Sequence, residues 1–306
     1  MNIEVNVEVN ESSTSSVHLF FCSTVLLFNT MTIDSHTHFW IYDKVRDAWI
    51  TDDMQVLAQN FFPENLSPLL SGNGIDGVIA VQADQSETET NFLVQLAQSN
   101  SLVKGVIGWI DLQGESIAER LRHFSQYKII KGWRHIAQAE ANDFLLSPKF
   151  QQGIQALGQY DWVYEILIYH YQLEAAIKLV EKFPEQRFVL DHCAKPNIRE
   201  KELDTWRDNT RELARHPNVS CKISGLITEA VWKDWQPTDL YPYLDVVFEA
   251  FGADRLLFGS DWPVMLLAGN YTGWKQVLQQ YMHQLSKEEQ EKVFGGNAVE
   301  IYNLKA

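Results

Sequence analysis

Eight short apolar runs alternate with longer amphipathic stretches along the chain, and this alternation restricts the possible folds most. Each run is rich in β-branched or aromatic residues, as is typical of buried parallel strands. The runs are residues 32–35, 77–82, 105–110, 129–133, 162–168, 187–191, 219–224 and 255–259. Eight strands that alternate with helices predict a single α/β domain, a closed (β/α)₈ TIM barrel.

An open, doubly wound sheet is the alternative arrangement of the same elements. Such a sheet would carry a glycine-rich phosphate turn after its first strand. Here the first run is followed by histidines, and no linker divides residues 31–306. The sequence therefore favours one barrel domain over residues 31–306.

Residues 1–30 differ in character from the rest of the chain. Residues 1–16 are polar and acidic, and an apolar run follows at 17–28. That run is shorter than the ~20 residues of a membrane span, and no Lys or Arg precedes it, which argues against an export signal. We expect residues 1–30 to be a disordered extension or an over-extended reading frame, with Met31 as the true start.

The overall charge excludes some partners. The chain of 306 residues has a net charge of -15, which argues against nucleic-acid binding because phosphate contacts need clustered Lys and Arg.

Three cysteines provide no disulfide framework and suit a reducing compartment. We expect a cytoplasmic protein with a small-molecule partner, no membrane association and an oligomeric state that the sequence leaves open.

Polar side chains stand at the ends of three predicted strands. The segment Asp34-Ser-His36-Thr-His38 ends the first, and two histidines at i and i+2 on a strand face the same side. His192 ends the sixth strand and Asp261 the eighth. Active sites of such barrels lie at these strand ends. We predict that His36, His38, His192 and Asp261 are catalytic and that the histidines suit a metal ion or a polarised carbonyl.

Five further residues are candidates for substrate contact. Arg134 and His135 end the fourth strand, and Gln82, Trp109 and Trp262 end the second, third and eighth. The guanidinium of Arg134 suits a carboxylate or a lactone oxygen, whereas the aromatic rings would stack on a ring substrate. The alternative for each is packing or a salt bridge at the barrel rim.

Strand five and the C-terminal segment carry three further candidates. Glu165 either ligates a cation or pairs with Lys222 inside the barrel, and pairing is favoured because a buried carboxylate needs a partner. His170, just past this strand, is a possible further ligand. Asn297 follows Gly295-Gly296 and is expected to cap a last helix.

Together these motifs resemble the amidohydrolase superfamily. More narrowly, the chain is similar to the amidohydrolase-related branch of TIM-barrel metal-dependent hydrolases that includes sugar lactonases and a 2-pyrone-4,6-dicarboxylate lactonase. The resemblance covers about residues 31–304. It is carried by residues 34–40, 132–135, 188–196, 219–226, 257–263 and 294–298.

The resemblance implies one divalent metal ion, usually zinc, held by His36, His38, His192 and Asp261. It also implies that Asp261 moves a proton to or from the attacking water. The chain departs from the superfamily at strand four, where Arg134-His135 replaces a bridging Lys or Glu. A binuclear centre is therefore not expected, and catalysis without a metal stays open.

The predicted function is hydrolysis of a sugar-acid or related lactone. Asp261 would activate water while the histidines, with or without a metal, polarise the carbonyl. A zinc-dependent decarboxylase of unsaturated carboxylic acids is an alternative because it would use the same residues. A catalytically inactive binding protein on the same barrel is the alternative from another class.

Overall fold

Eight parallel strands form one sheet whose spatial order is the order of the chain. The computed structural model describes residues 31–305. The strands are β1 (Ile33–Thr37), β2 (Gly77–Val81), β3 (Val103–Gly108), β4 (Ile130–His135), β5 (Val163–Ile166), β6 (Phe188–Leu190), β7 (Val219–Ile223) and β8 (Leu256–Phe258). A bridge from Thr37 to Trp262 joins the two ends of the sheet, so it forms a nearly closed barrel. The predicted (β/α)₈ barrel is confirmed.

Helices follow the strands and cover the outside of the barrel. They are α1 (Pro63–Asn73), α2 (Glu87–Ser99), α3 (Ile117–Phe124), α4 (Pro148–Leu157), α5 (Leu173–Lys182), α6 (Asp204–Ala214), α7 (Leu226–Glu229), α8 (Pro237–Phe251), α9 (Tyr271–Tyr281), α10 (Lys287–Glu291) and α11 (Asn297–Ile301). Within residues 31–305, none of the helices combines the length and the apolar character that crossing a membrane requires.

Local sequence signals set several helix ends. The hydroxyl of Ser86 accepts a hydrogen bond from the Glu89 N–H and caps α2. Ser147 caps α4 in the same way, and Pro148 occupies the first helical position, where its missing N–H costs nothing. These helices bury one face against the strands, and this burial leaves the strands with apolar contacts on both sides.

The lower end of the barrel is filled by apolar side chains. Ile33, at the start of β1, packs in a buried cluster that includes Tyr302 and Leu304 of the C-terminal segment. Gly295 lets this segment approach β1, because a Cβ at that position would lie 1.8 Å from the Met31 carbonyl oxygen. The closed lower end leaves the carboxyl ends of the strands as the polar, open end.

Asn297 has a different role from the predicted cap. It is the first residue of α11 and already has helical backbone angles, φ -65° and ψ -38°. Its side-chain amide donates to the carbonyl oxygens of Ala253 and Leu256, both at 2.7 Å. Asn297 therefore ties α11 to β8, and the prediction of a cap was wrong. The prediction for residues 1–30 lies outside the described residues.

Candidate active site

His36 and His38 leave β1 on the same side, as the i and i+2 spacing predicts. Their Nε2 atoms lie 3.2 Å apart. The Nδ1 atom of His38 lies 2.8 Å from the carbonyl oxygen of Val81, which only accepts, so this nitrogen carries the proton. The lone pair of His38 Nε2 is therefore free and faces the site.

Asp261 completes this corner from the loop after β8. Its Oδ1 atom lies 3.3 Å from His38 Nε2 and 3.8 Å from His36 Nε2. A positive φ of 60° turns the residue inward, and its N–H donates to the His36 carbonyl oxygen at 2.9 Å. Burial works to raise the pKa of Asp261, but the surrounding imidazoles, His192 first, outweigh it and hold the pKa below the ordinary value. Asp261 is therefore ionised at neutral pH.

His192 enters the site from an unusual turn after β6. Residues 192–195 all have positive φ, from 47° to 58°, which L-residues adopt only at an energetic cost. The Nδ1 atom of His192 lies 2.9 Å from Ser224 Oγ, and its ring centroid lies 4.4 Å from that of His36. Burial lowers the pKa of His192 to about 4, so the imidazole is neutral at neutral pH.

The backbone of Gly225 explains how this ring is accommodated. Its φ is 65°, and a Cβ there would lie 2.7 Å from His192 Nδ1. Only glycine can adopt this positive φ and also leave the space next to the His192 ring empty without strain. The sequence places Gly225 directly after Ser224, so the residue that hydrogen-bonds His192 and the residue that makes room for it are neighbours.

Beneath the histidines lies a buried network of charged side chains. Lys222 Nζ lies 2.5 Å from Glu165 Oε2 and 3.2 Å from Asp191 Oδ1. Tyr302 donates its hydroxyl to Glu165 Oε1 at 2.7 Å, and Arg134 donates to Asp191 Oδ2 at 2.9 Å. The predicted pairing of Glu165 with Lys222 is present. Sequence reasoning missed Asp191, although its position next to His192 at a strand end was a usable signal.

His36 links this network to the site above it. Its Nδ1 atom lies 3.1 Å from Lys222 Nζ and 3.4 Å from Asp191 Oδ1, and Arg134 Nη1 lies 3.2 Å from its Nε2. Burial and then the charge of Lys222 lower the pKa of His36 well below its ordinary value. His36 is therefore a neutral imidazole, the form that binds metals.

The upper residues fit a divalent cation. His36, His192 and Asp261 each offer one ligand atom, and these atoms all lie within 4.8 Å of one another. His38 Nε2 adds a further donor beside His36 Nε2. Neutral imidazoles with one carboxylate are the ligands that zinc takes in catalytic sites. Val81 and Ser224 orient two of the rings from behind, as outer partners of metal ligands usually do.

A second cluster, His36 with Glu165 and Asp191, has the same spacing but does not fit a metal. The ammonium group of Lys222 already contacts both carboxylates. A fixed positive side chain there neutralises the charge that a second ion would need. Among the described residues, the upper donors are therefore the ones that suit a metal ion, because Lys222 already holds the lower carboxylates.

Two predicted substrate contacts at strand four serve other groups in the structure. Arg134 is 3% exposed, and besides Asp191 it donates to the carbonyl oxygen of Gln82. His135 Nδ1 accepts a hydrogen bond from Trp109 Nε1 at 3.2 Å, and His135 Nε2 lies 3.1 Å from Glu140 Oε1. Arg134 thus supports the floor of the site, while Trp109 and His135 form part of its rim.

The structure gives less support to a substrate or ligand role for Trp262, Gln82 and His170. Trp262 is 2% exposed, and its ring packs 5.1 Å from that of Phe61, so the structure favours the packing alternative. Gln82 is buried, and its Oε1 has no hydrogen-bond partner among residues 31–305. His170 begins a half-buried turn and belongs to neither ligand cluster found among those residues.

Comparison with known proteins identifies the family. A sequence model described as Amidohydrolase matches residues 33–304. The chain belongs to this amidohydrolase family. It is 38% identical to an L-fucono-1,5-lactonase of Burkholderia multivorans, over 89% of this chain and 96% of the relative. A second L-fucono-1,5-lactonase, from Burkholderia ambifaria, is 33% identical over 90% of this chain and 96% of the relative's length.

One solved amidohydrolase structure is closely similar in fold to this chain. It is a crystal structure of an amidohydrolase from Burkholderia multivorans with bound zinc, 37% identical in sequence. The two superpose with a TM-score of 0.87 over 90% of this chain and 100% of the other. The predicted resemblance to the amidohydrolase superfamily is therefore confirmed.

Proposed function

We propose that this amidohydrolase opens the ring of a sugar-acid 1,5-lactone by hydrolysis. The observation that carries the proposal is the position of Asp261, an ionised carboxylate 3.3 Å from His38 Nε2 at the open end of the barrel. The two L-fucono-1,5-lactonases that are 38% and 33% identical to the aligned part of this chain support the substrate class.

Asp261 acts as the general base and then as the general acid. Its carboxylate takes a proton from water as the water oxygen attacks the lactone carbonyl. It returns that proton to the ring oxygen when the C–O bond of the ring breaks, which yields the open hydroxy acid. Arg134 and Lys222, behind His36, place fixed positive charge near the carbonyl oxygen as negative charge develops there.

We also propose that one divalent ion, zinc by the chemistry of the donors, is held by His36, His38, His192 and Asp261. When bound, such an ion polarises a carbonyl and lowers the pKa of water toward ~7. The zinc-bound solved relative supports this choice. No specific observation favours the decarboxylase or the inactive binding protein. The cytoplasmic location stays a prediction.

A lactone panel tests the proposal. The purified protein, with its metal content measured, is assayed for acid release from 1,5-lactones of sugar acids. Asp261→Asn should keep the fold but lower kcat by about 10²–10⁴-fold, whereas Asp208→Asn on the exposed face of α6 should not. Carbon dioxide release from unsaturated acids without lactone hydrolysis, or full activity of Asp261→Asn, would overturn it.

A further inference from the structure

Three polar side chains beside the active site are not used by the chemistry described above. They are Tyr169, Lys195 and Glu229, from the loops that follow β5, β6 and β7. Lys195 Nζ lies 4.0 Å from Glu229 Oε1 and 5.5 Å from the centroid of the Tyr169 ring. The three therefore form one wall from three consecutive loops at the open end of the barrel.

Both charged residues are fixed to His192 through the backbone. Lys195 ends the left-handed turn that begins at His192, and its N–H donates to the His192 carbonyl oxygen at 2.8 Å. Glu229 ends α7, the short helix that starts right after Gly225, where an added Cβ would lie 2.7 Å from His192 Nδ1. Their positions relative to the reacting centre are thus set by the same turns that place His192.

The causes of two pKa shifts also indicate that Lys195 and Glu229 lie close to the catalytic residues. Burial raises the pKa of Glu229, the charge of Lys195 lowers it and the charge of Asp261 raises it further. Lys195 in turn contributes to lowering the pKa of His192, after the larger effect of burial. The wall therefore lies within electrostatic reach of the atoms that act on the substrate.

The charged ends of this wall have unused hydrogen-bonding capacity. Among residues 31–305, neither the ammonium of Lys195 nor the carboxylate of Glu229 makes a hydrogen bond, although the two side chains are only 18% and 22% exposed. Neither charged end is among the fully buried, unpartnered side-chain atoms of these residues, so both are open to water and to a ligand that replaces it. A cation and an anion 4.0 Å apart present three N–H donors beside two acceptor oxygens.

This pattern matches a polyhydroxylated ring. Each hydroxyl both donates and accepts, so neighbouring ring hydroxyls can donate to Glu229 and accept from Lys195 at once. We propose that Lys195 and Glu229 bind the ring hydroxyls of the substrate and give the enzyme its preference for sugar lactones over unsubstituted lactones. Tyr169 holds the ammonium of Lys195 in place, because that group lies over its ring at 5.5 Å from the centroid. The inference rests on the proposed lactonase function and deepens it.

The test compares two lactones that differ in their hydroxyls. Wild type, Lys195→Met and Glu229→Gln are assayed on L-fucono-1,5-lactone and on δ-valerolactone, a six-membered lactone without hydroxyls. Loss of a hydrogen bond to a charged group corresponds to about ten- to a hundred-fold in binding. The ratio of kcat/KM for the two substrates should therefore fall by at least about ten-fold in each variant, chiefly through KM for the sugar lactone.

Matched controls come from the exposed surface of α5. Lys178→Met and Glu181→Gln make the same chemical changes there and should keep the wild-type ratio. A variant that loses activity on both substrates in proportion would overturn the inference, because a structural or positioning role acts on both. An unchanged ratio with unchanged KM would overturn it as well. A wild type that opens neither lactone would instead refute the proposed function, and the inference with it.

Discussion

The ammonium nitrogen of Lys222 lies 2.5 Å from Oε2 of Glu165 in the middle of the barrel, where neither side chain is exposed. Lys222 also lies 3.1 Å from His36 Nδ1. This pair replaces the apolar filling that would be expected between the lower end of the barrel and its mouth. It holds a positive charge directly beneath the histidines and occupies the space where a second metal ion would otherwise fit.

Replacing Lys222 by Met should destabilise the protein strongly. The change leaves the Glu165 carboxylate buried and without its cation, which typically costs about 3–5 kcal/mol. Urea unfolding of the whole chain measures the loss. The double variant Lys222→Met with Glu165→Gln should recover part of it, because the Glu165 charge is then removed while Asp191 keeps Arg134 as its cation. A loss of no more than about 1 kcal/mol in the single variant would contradict a charged pair.

Gly225→Ala should impair activity more than it impairs stability. The new Cβ meets His192 Nδ1 at 2.7 Å, so the ring must shift. Gly74→Ala is a matched control, since Gly74 is also left-handed, with φ 64° and ψ 41°, but nothing lies within 4 Å of its added Cβ. Both variants should lose about 1–2 kcal/mol from the left-handed backbone, and only Gly225→Ala should lose most of its lactonase activity. Equal activity of the two variants would show that His192 is not needed in its present position.

Ser224→Ala should weaken zinc binding. The hydroxyl of Ser224 lies 2.9 Å from His192 Nδ1 and orients that ring. Removal of such an outer partner typically lowers metal affinity about 10–100-fold. Competition between metal-free protein and a chromogenic chelator measures this, with Ser99→Ala at the exposed end of α2 as the control. Unchanged affinity would place His192 outside the ligand set.

His135 should make the protein less stable at mildly acidic pH. Burial lowers the pKa of His135 below 6.5, and the hydrogen bond from Trp109 to Nδ1 also requires the neutral ring. The unfolded chain therefore takes up a proton at His135 before the folded protein does. Its contribution to stability is present above about pH 6.5 and is lost as the pH falls below that value.

The variant His135→Gln isolates this effect. Between pH 7.5 and 5.5, the free energy of unfolding of the wild type should fall more steeply than that of His135→Gln. Other buried histidines contribute equally to both proteins, so the difference between the two curves reports on His135. Parallel curves would mean that His135 titrates alike in the folded and unfolded chain.

The barrel and the core of its site could be predicted from local patterns. The apolar runs predicted both ends of all eight strands to within two residues, because the formation of each strand depends mainly on its own buried residues. The convergence of His36 with His38 follows from strand geometry alone. His192 and Asp261 lie with them because parallel strands of a barrel end on one face.

Side-chain directions at the rim could not be predicted in this way. Trp262 was expected either to face a ligand or to pack at the rim, and the structure decides for packing because the ring lies against Phe61. Arg134 was expected either to reach the substrate or to form a salt bridge, and only the structure shows that the carboxylate of Asp191, 57 positions away in the chain, binds it. Such contacts join distant segments, and no periodicity within one segment encodes them.

The sequence by itself determined the barrel and the meeting of His36, His38, His192 and Asp261 at one end of it. Only the tertiary structure decided how each of them is held. The contact with the Val81 carbonyl leaves Nε2 of His38 free, and Lys222, which fills the barrel floor, lies against His36 and helps to keep it neutral. It also brought Lys195 and Glu229 together on one wall. The physical reason is that protonation and polar contact depend on burial and on distances of a few ångströms, which are set by packing between segments far apart in the chain.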